Sequence, residues 1–323
     1  MQNLKPLFTV AIITYNSAKY VRQAIESVLA SSYINFELII SDDASTDNTW
    51  GIIEDYRDVR IKSWRNKKNI GEYPNRNKVL KQALGEYILY VDGDDILYKN
   101  TLRNLSEYID SFPEAGMVWG LNPQNFPFFV FPYLVEPSIN MKLIYCTHIP
   151  ISIIGFGEIL FKKNILLFEG GFSEKYKSGD NYIKKTIAIK YAVLYINIGF
   201  MFWRQSLNQA SKNLSNGFES FLERYTIDKL VVENNNFPIT GNEYSIISKN
   251  LKISYMKLHF SDTVLKGNFK LFFKYYSSLN FKFSDIKLIF QKGDYSYNPS
   301  SLIDEPLMNK FNFKSNSSLK IKN

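Results

Sequence analysis

Cysteine is almost missing from this chain: Cys146 is the only one in 323 residues. One thiol excludes an internal disulfide framework and a cysteine-rich metal centre. It suits a reducing compartment, the cytoplasm being the expected one. Histidine is as scarce, with two residues. A lone His148 in an apolar context reads as a satisfied core or loop residue before it reads as a ligand. Long apolar runs are absent too. The longest, from Ile149 to Phe161, is interrupted by Gly155, Gly157 and Glu158, and a bilayer span needs roughly 18 uninterrupted residues. Met1 to Lys5 runs straight into an expected strand, without the pattern of a leader. Two phosphate-binding signatures are also missing, the P-loop and Gly-x-Gly-x-x-Gly. Those absences argue against a P-loop kinase and a dinucleotide dehydrogenase. What remains is a soluble or peripheral protein.

The chain is 45% hydrophobic and 22% charged, enough for a sizeable core. Its length suggests two domains or one large one. The formal net charge is +8. Residues 212–323 hold 16 Lys and Arg against 10 Asp and Glu, so most of that excess sits in the C-terminal third. Such an excess fits an anionic partner (a membrane surface, a phosphate-bearing lipid, nucleic acid) or simple solubility.

Apolar patterning outlines an α/β unit. Leu7 to Thr14 and Phe36 to Ser41 read as buried strands, Arg60 to Arg65 as a weaker one, and Ile88 to Val91 as a fourth. Helical spacing runs from Tyr20 to Leu29, from the Asp42–Asp47 turn to about Tyr56, and from about Pro74 to Leu84. This β-α-β-α-β-α-β order implies a parallel, doubly wound sheet. Two of its strands end in acid: Asp42 and Asp43, then Asp92, Asp94 and Asp95 around Gly93. Carboxylates bunched at a buried strand end repel one another unless a cation or a row of donors neutralises them. Ligands of open α/β sheets bind at that edge. A solvated Asp-Gly turn is the plain alternative.

Five segments, in order, resemble glycosyltransferase family 2 with the GT-A fold. They are Val10–Asn16 (Val-Ala-Ile-Ile-Thr-Tyr-Asn), Ser41–Asp47, Asn69–Gly71 with Asn75–Asn77, Gly85–Asp95, and Gly170–Glu174 with Gly179–Asp180. The resemblance covers about residues 7–211. It implies a Rossmann-like, mostly parallel sheet flanked by helices over residues 1–211, and a mostly helical extension over 212–323. It also implies a nucleotide-diphosphate sugar donor and an inverting transfer to a glycan or lipid-linked acceptor, with no role for nucleic acid. Bacterial enzymes of this kind build surface polysaccharides.

By that resemblance Tyr15 stacks on the base; as a residue it is equally a strand-end tyrosine. Asp43 accepts the uracil N3–H, pointing to UDP or dTDP, or it is a turn aspartate. Arg76 lies near the base or diphosphate, or is a surface cation. Asp92 is the first acid of the family's Asp-x-Asp motif, near the ribose. Asp94 is the second, holding Mn²⁺ or Mg²⁺, with Asp95 supporting it. Asp180 is the general base that takes the acceptor proton, or an ordinary helix cap; a helix N-terminus suits a carboxylate in either case. Arg204 holds the diphosphate or makes a structural ion pair. Two positions depart from the family's pattern. Gly179 stands where many relatives carry Glu, and Ser206 where many carry a histidine able to reach the metal. The second departure puts metal dependence in question. A nucleotide- or glycan-binding protein without turnover is the reading these departures leave open.

Further on, Met117 to Trp119 starts a strand, residues 122–137 look irregular and aromatic, and Tyr195 to Trp203 reads as one late strand. Helical spacing returns at Phe218, Phe221, Leu222 and Tyr225, at Ile247, Leu251, Tyr255 and Leu258, and at Phe269, Phe272, Phe273 and Tyr276. Residues 233–238 link the first two of these. Lys266, Lys270, Lys274 and Lys282 accompany the aromatics. This region packs on the first as an appendage, or presents a basic aromatic face to the inner side of the cell membrane.

Overall fold

A computed structural model describes residues 5–122, 124, 131–147, 155–205, 218–278 and 283–293. His148, Ser206, Lys282, the 211/212 boundary and residues 123 and 125–130 of the 122–137 stretch lie outside the described residues.

The first half builds as its pattern dictates. Strand β1 (Phe8–Thr14) is buried along its whole length, as a largely apolar run in a sheet covered on both faces should be. It lies between β2 (Phe36–Asp42) and β4 (Tyr87–Asp92), and β3 (Ile61–Arg65) flanks β2, all parallel. The crossovers carry α1 (Val21–Leu29), α2 (Thr49–Glu54) and α3 (Glu72–Gln82). Register sets Thr14 beside Asp42 and Ile13 beside Asp92. The acidic ends of β2 and β4 therefore flank the end of β1 on a single rim.

Beyond β4 the sheet becomes mixed, which the β-α-β pattern did not announce. The next elements are β5 (Ile96–Leu97), α4 (Thr101–Ser111), β6 (Met117–Gly120), β7 (Tyr133–Val135) and α5 (Pro137–Tyr145). Then come a 3₁₀ turn (Phe156–Glu158), β8 (Ile159–Lys162), α6 (Lys163–Phe168), α7 (Gly179–Ala188), β9 (Val193–Ile196) and β10 (Met201–Phe202). Among the described residues the sheet has eight strands in the order β3-β2-β1-β4-β8-β6-β9-β7. β8 runs antiparallel to both β4 and β6, and β7 antiparallel to β9. Two expectations are corrected. The irregular stretch contains β7, a short edge strand. The single strand over Tyr195 to Trp203 is two, and β10 leaves the sheet to pair with β5. The break has a cause: Glu158 accepts the Phe200 N–H at 2.7 Å, while the Phe200 carbonyl accepts Tyr98 N–H at 3.0 Å.

Alternation along β1 feeds two cores. Val10 and Ile12 face α1 and α4, with Leu38, Leu89 and Leu105. Ala11 and Ile13 face the other side, with Tyr90, Phe161, Phe172 and Ile183. The C-terminal helices α8 (Phe218–Val232), α9 (Gly241–Thr263) and α10 (Phe269–Ser278) are followed by a 3₁₀ stretch (Phe283–Phe290). Phe221, Tyr225, Ile247 and Leu251 join the second core. Each such side chain removed from water contributes about 1.5–3 kcal/mol. A buried polar tie adds specificity: Asp228 of α8 pairs with Lys185 of α7 and accepts Tyr145 of α5 at 2.9 Å and Tyr255 of α9 at 2.7 Å.

Candidate active site

The rim begins where β1 ends. Tyr15 is 48% exposed there. Asn16 takes φ 51°, a left-handed conformation that Asn tolerates better than most residues. Its side chain accepts Thr46 N–H at 2.7 Å and its own N–H donates to Ser45 Oγ at 2.9 Å. Ala18 N–H donates to Asp47 at 3.0 Å. The loops after β1 and β2 are thus laced together.

Asp42 and Asp43 divide the labour. Asp42 is fully buried; it accepts Ser45 N–H at 3.2 Å and faces Arg65 Nε at 3.4 Å. Burial pushes its carboxyl above the ordinary range. Asp43, 4% exposed, folds the next loop over the rim. It accepts Asn66 Nδ2 at 2.8 Å, Ile70 N–H at 3.0 Å and Gly71 N–H at 2.9 Å. The Ile70 N–H also lies 3.2 Å from Oδ2, so both carboxylate oxygens are engaged.

At the end of β4 the chain turns tightly against β1. A Cβ on Gly93 would meet Thr14 Oγ1 at 2.5 Å, so only glycine allows this approach. Asp95 is buried, and burial, with help from Asp92 and Asp94, pushes its carboxyl up to about 7. It accepts the Arg204 N–H at 3.0 Å. The Arg204 side chain wraps the same turn: Nε donates to the Asp94 carbonyl at 2.8 Å and Nη2 to Gln23 at 2.7 Å, over the Tyr20 ring at 4.5 Å. Arg204 therefore grips the acidic loop through its backbone.

Helix α3 joins this rim to α7. Arg76 is 2% exposed and donates to Asp92 at 2.7 Å and to Glu72 at 2.9 Å. Its guanidinium lies 4.2 Å from the Phe156 ring centroid and 5.3 Å from that of Tyr90. Burial opposes its charge, yet Asp92 and Glu72 outweigh that and raise its proton affinity. Three positions earlier on the helix, the Tyr73 hydroxyl stands 2.9 Å from Asp180 Oδ1 and 2.9 Å from the Lys177 carbonyl. Burial and the nearby Asp180 and Glu72 carboxylates drive the Tyr73 pKa far up. Tyr73 therefore stays a donor. Residues i and i+3 of a helix are surface neighbours on the order of 5–6 Å apart. One turn of α3 thus brings Asp92 and Asp180 to one place.

Asp180 lies in the first turn of α7, preceded by Gly179. A Cβ at 179 would come within 2.5 Å of the Ser173 carbonyl and 3.1 Å of the Tyr73 ring. The departure from Glu at this position has a packing reason. Lys184, one turn after Asp180, is buried, and burial lowers its ammonium to about 8.

The corner holds more acid than base. Enclosure, together with Asp92 and Asp180, pushes Glu72's carboxyl up despite Arg76, and Asp95 is raised as well. Among the described residues no three His, Cys, Asp or Glu side chains form a preformed cation cage. Magnesium-type ions are usually held by one or two carboxylates plus substrate phosphates, and Asp94 in this acidic turn fits that donor set.

The seven residues singled out in the sequence fall into two groups around this rim. Tyr15, Asp43, Asp92, Asp94 and Arg204 stand on the ends of β1, β2 and β4 and the segment after β10. Arg76 and Asp180 reach it from α3 and α7. Arg76 is no surface cation but a buried strut. Tyr73, Glu72 and Asn66 were missed, because nothing local in a sequence shows which helix faces which strand end. The asparagines of the 75–77 segment turn out to be scaffold. Asn75 accepts Ser41 Oγ at 2.6 Å, and Asn77 both accepts Phe172 N–H and donates to Phe172 O, each at 2.8 Å.

Residues 9–166 match the family model described as Glycosyl transferase family 2. The poly(ribitol-phosphate) beta-N-acetylglucosaminyltransferase TarS of Staphylococcus aureus is 33% identical over 147 residues, 43% of this chain and 26% of TarS. The UDP-Glc:alpha-D-GlcNAc-diphosphoundecaprenol beta-1,3-glucosyltransferase WfaP of Escherichia coli is 36% identical over 105 residues, 32% of this chain and 42% of WfaP. These matches span less than half of either relative. Among solved structures, S. aureus TarS 1–349 with UDP-GlcNAc superposes with TM-score 0.60 at 22% identity, covering 87% of this chain and 78% of that one. A Pyrobaculum calidifontis mannosyltransferase with GDP-Man and Mn²⁺ gives TM-score 0.60 at 18% identity, covering 79% and 72%. The fold is GT-A, carrying a helical C-terminal extension.

Proposed function

We propose, for a chain whose residues 9–166 match the Glycosyl transferase family 2 model, that it transfers a sugar from a UDP-sugar to a hydroxyl of a glycan or lipid-linked acceptor, with inversion. One observation carries this reading: α3 holds Asp92 through Arg76 and Asp180 through Tyr73. Residues 88 positions apart thereby share one corner. An acid held at a donor rim and a second acid across from it are the parts an inverting displacement needs.

Tyr15 offers its exposed ring to the base, where stacking is worth about 1–3 kcal/mol. Asp43 accepts the uracil N3–H, and Asp92 lies at the ribose. A divalent cation, Mn²⁺ or Mg²⁺, held by Asp94 and the phosphate oxygens, would neutralise charge on the departing diphosphate. Arg204 keeps the Asp94–Asp95 turn in shape for it. Asp180 accepts the proton of the acceptor hydroxyl as that oxygen forms its bond to the anomeric carbon. The bond from that carbon to UDP breaks in the same step, and UDP leaves with the electron pair. Tyr73, always protonated, orients the Asp180 carboxylate by donating to Oδ1.

UDP is the proposed carrier because it occurs in the name of WfaP and in the TarS complex; the sugar moved by this chain is a matter for assay. A membrane-bound acceptor suits the exposed Leu265, Phe269, Phe273 and Phe290, with Lys266 and Lys270 exposed among them. Among the described residues no helix is long and apolar enough to cross a bilayer, so contact would be peripheral.

The test is Asp180→Asn, with UDP release from UDP-glucose or UDP-GlcNAc measured alongside UDP affinity. A catalyst loses turnover by about 10²-fold or more and keeps its affinity. A binding-only protein shows affinity and no turnover in the unaltered chain.

A further inference from the structure

The first turn of α7 has no cap of its own. Ser178 occupies the N-cap position without a side-chain hydrogen bond to the helix. Gly179 has no side chain, and the Ser173 carbonyl leaves no room for one. The start of a helix leaves several N–H groups without intrahelical partners, and the backbone leading into this one is held from elsewhere. Glu223 of α8 reaches it with both carboxylate oxygens. Oε2 accepts Lys177 N–H at 2.8 Å, and Oε1 accepts Ser178 N–H at 2.8 Å.

We propose that Glu223 is a positioning residue for Asp180, so that the C-terminal helices complete the site of transfer. This rests on the reading of Asp180 as general base. The linkage is continuous. Glu223 fixes the N–H of the 177–178 peptide and the N–H of the peptide before it. The carbonyl of that peptide and Asp180 Oδ1 each lie 2.9 Å from the Tyr73 hydroxyl and share its single proton. Bonds from N–H groups to a carboxylate are charge-assisted and short, stronger than neutral ones. Losing them frees the turn from which Asp180 projects, and Tyr73 then has a moving partner. Anchorage of α8 does not depend on Glu223. Asp228 holds Lys185, Tyr145 and Tyr255, and Phe221 and Tyr225 lie in the core. The effect of removing this carboxylate should therefore be local.

A neighbouring residue supplies the control. Glu219, one turn earlier on α8, pairs with Lys177 Nζ at 3.1 Å, but both side chains are largely exposed. Exposed pairs contribute little. Glu223→Gln keeps one acceptor and turns an amide donor against an N–H donor. Glu223→Asp keeps both oxygens on a shorter stem.

The experiment compares the full chain with Glu223→Gln, Glu223→Asp and Glu219→Gln. UDP release from UDP-GlcNAc and UDP-glucose with Mn²⁺ gives kcat and KM, and hydrogen exchange is followed over residues 173–182. Glu223→Gln should lower kcat by about 10- to 100-fold, as small misplacements of catalytic groups do. KM and UDP affinity should stay within about twofold, because the donor is gripped by the β1, β2 and β4 rim. Exchange over 173–182 should rise. Glu223→Asp should recover part of kcat, and Glu219→Gln should change nothing. A folded Glu223→Gln chain with unaltered kcat overturns the proposal, whatever its exchange. So does an equal loss in Glu219→Gln, or a loss confined to KM. An unaltered chain that binds UDP but releases none from either donor removes the proposed function instead. In that case exchange over 173–182 alone decides whether Glu223 holds the turn.

Discussion

Replacing Arg76 with methionine tests the strut between the rim and α3. The guanidinium is 2% exposed, but its partners Glu72 and Asp92 keep 45% and 48% of their side-chain exposure. Breaking a wholly buried pair costs about 3–5 kcal/mol. Here both carboxylates can rehydrate, which brings the charge contribution down to about 1 kcal/mol. The Phe156 ring at 4.2 Å adds a desolvated cation–π contact of about 1–2 kcal/mol. Against these stands Arg76 Nη1, buried without a hydrogen-bond partner among the described residues, whose removal returns about 1 kcal/mol. Methionine fills most of the stem's volume. The net expectation is a loss of about 1–2 kcal/mol, a few degrees in Tm for a chain of this size. Urea denaturation followed by circular dichroism measures it. The functional effect should exceed that loss. Without Arg76 the Asp92 carboxylate has no fixed direction, and UDP should bind about tenfold more weakly by calorimetry. Arg76→Lys keeps the charge but not the fork, and should recover stability better than affinity. A methionine variant within 0.5 kcal/mol of the parent, with unaltered UDP affinity, would refute the reasoning.

Other predictions follow from single contacts. Gly179→Ala should lose about 1–3 kcal/mol by overpacking against Ser173, visible as a lower denaturation midpoint. Asp94→Asn should abolish any gain in UDP affinity that Mn²⁺ gives the parent, read by titration with and without the ion. Glu158, pushed up to about 7 by burial, governs a pH effect. Between about pH 4.5 and 7 the folded chain holds a proton that the unfolded chain has released, so stability falls as pH rises through that window. Glu158→Gln should flatten this slope and gain up to about 3 kcal/mol at pH 8, less what water screens. Parallel profiles for parent and variant between pH 5 and 8 would speak against it.

The sequence by itself determined the first sheet half and the placement of acid at its edge. Phe8 to Thr14 reads as a covered strand, because it is short, rich in β-branched residues and has no charged side. The aspartates after Ser41 and Val91 mark where two parallel strands stop, and parallel register puts such ends on one rim. Tyr15, Asp43, Asp92 and Asp94 were legible for that reason: each lies within three residues of a strand end. Tertiary structure decided the rest. Whether Asp180 meets Asp92 depends on α3 facing α7 and offering Tyr73 and Arg76 on one turn, and helix periodicity says which residues share a face but not what that face meets. The reversed direction of β8, the split between β9 and β10, and the reach of Glu223 to Ser178 are likewise contacts between residues distant in the chain. Local propensity carries no information about them. They are fixed only when burial of two opposed cores leaves the backbone a single way to satisfy its hydrogen bonds.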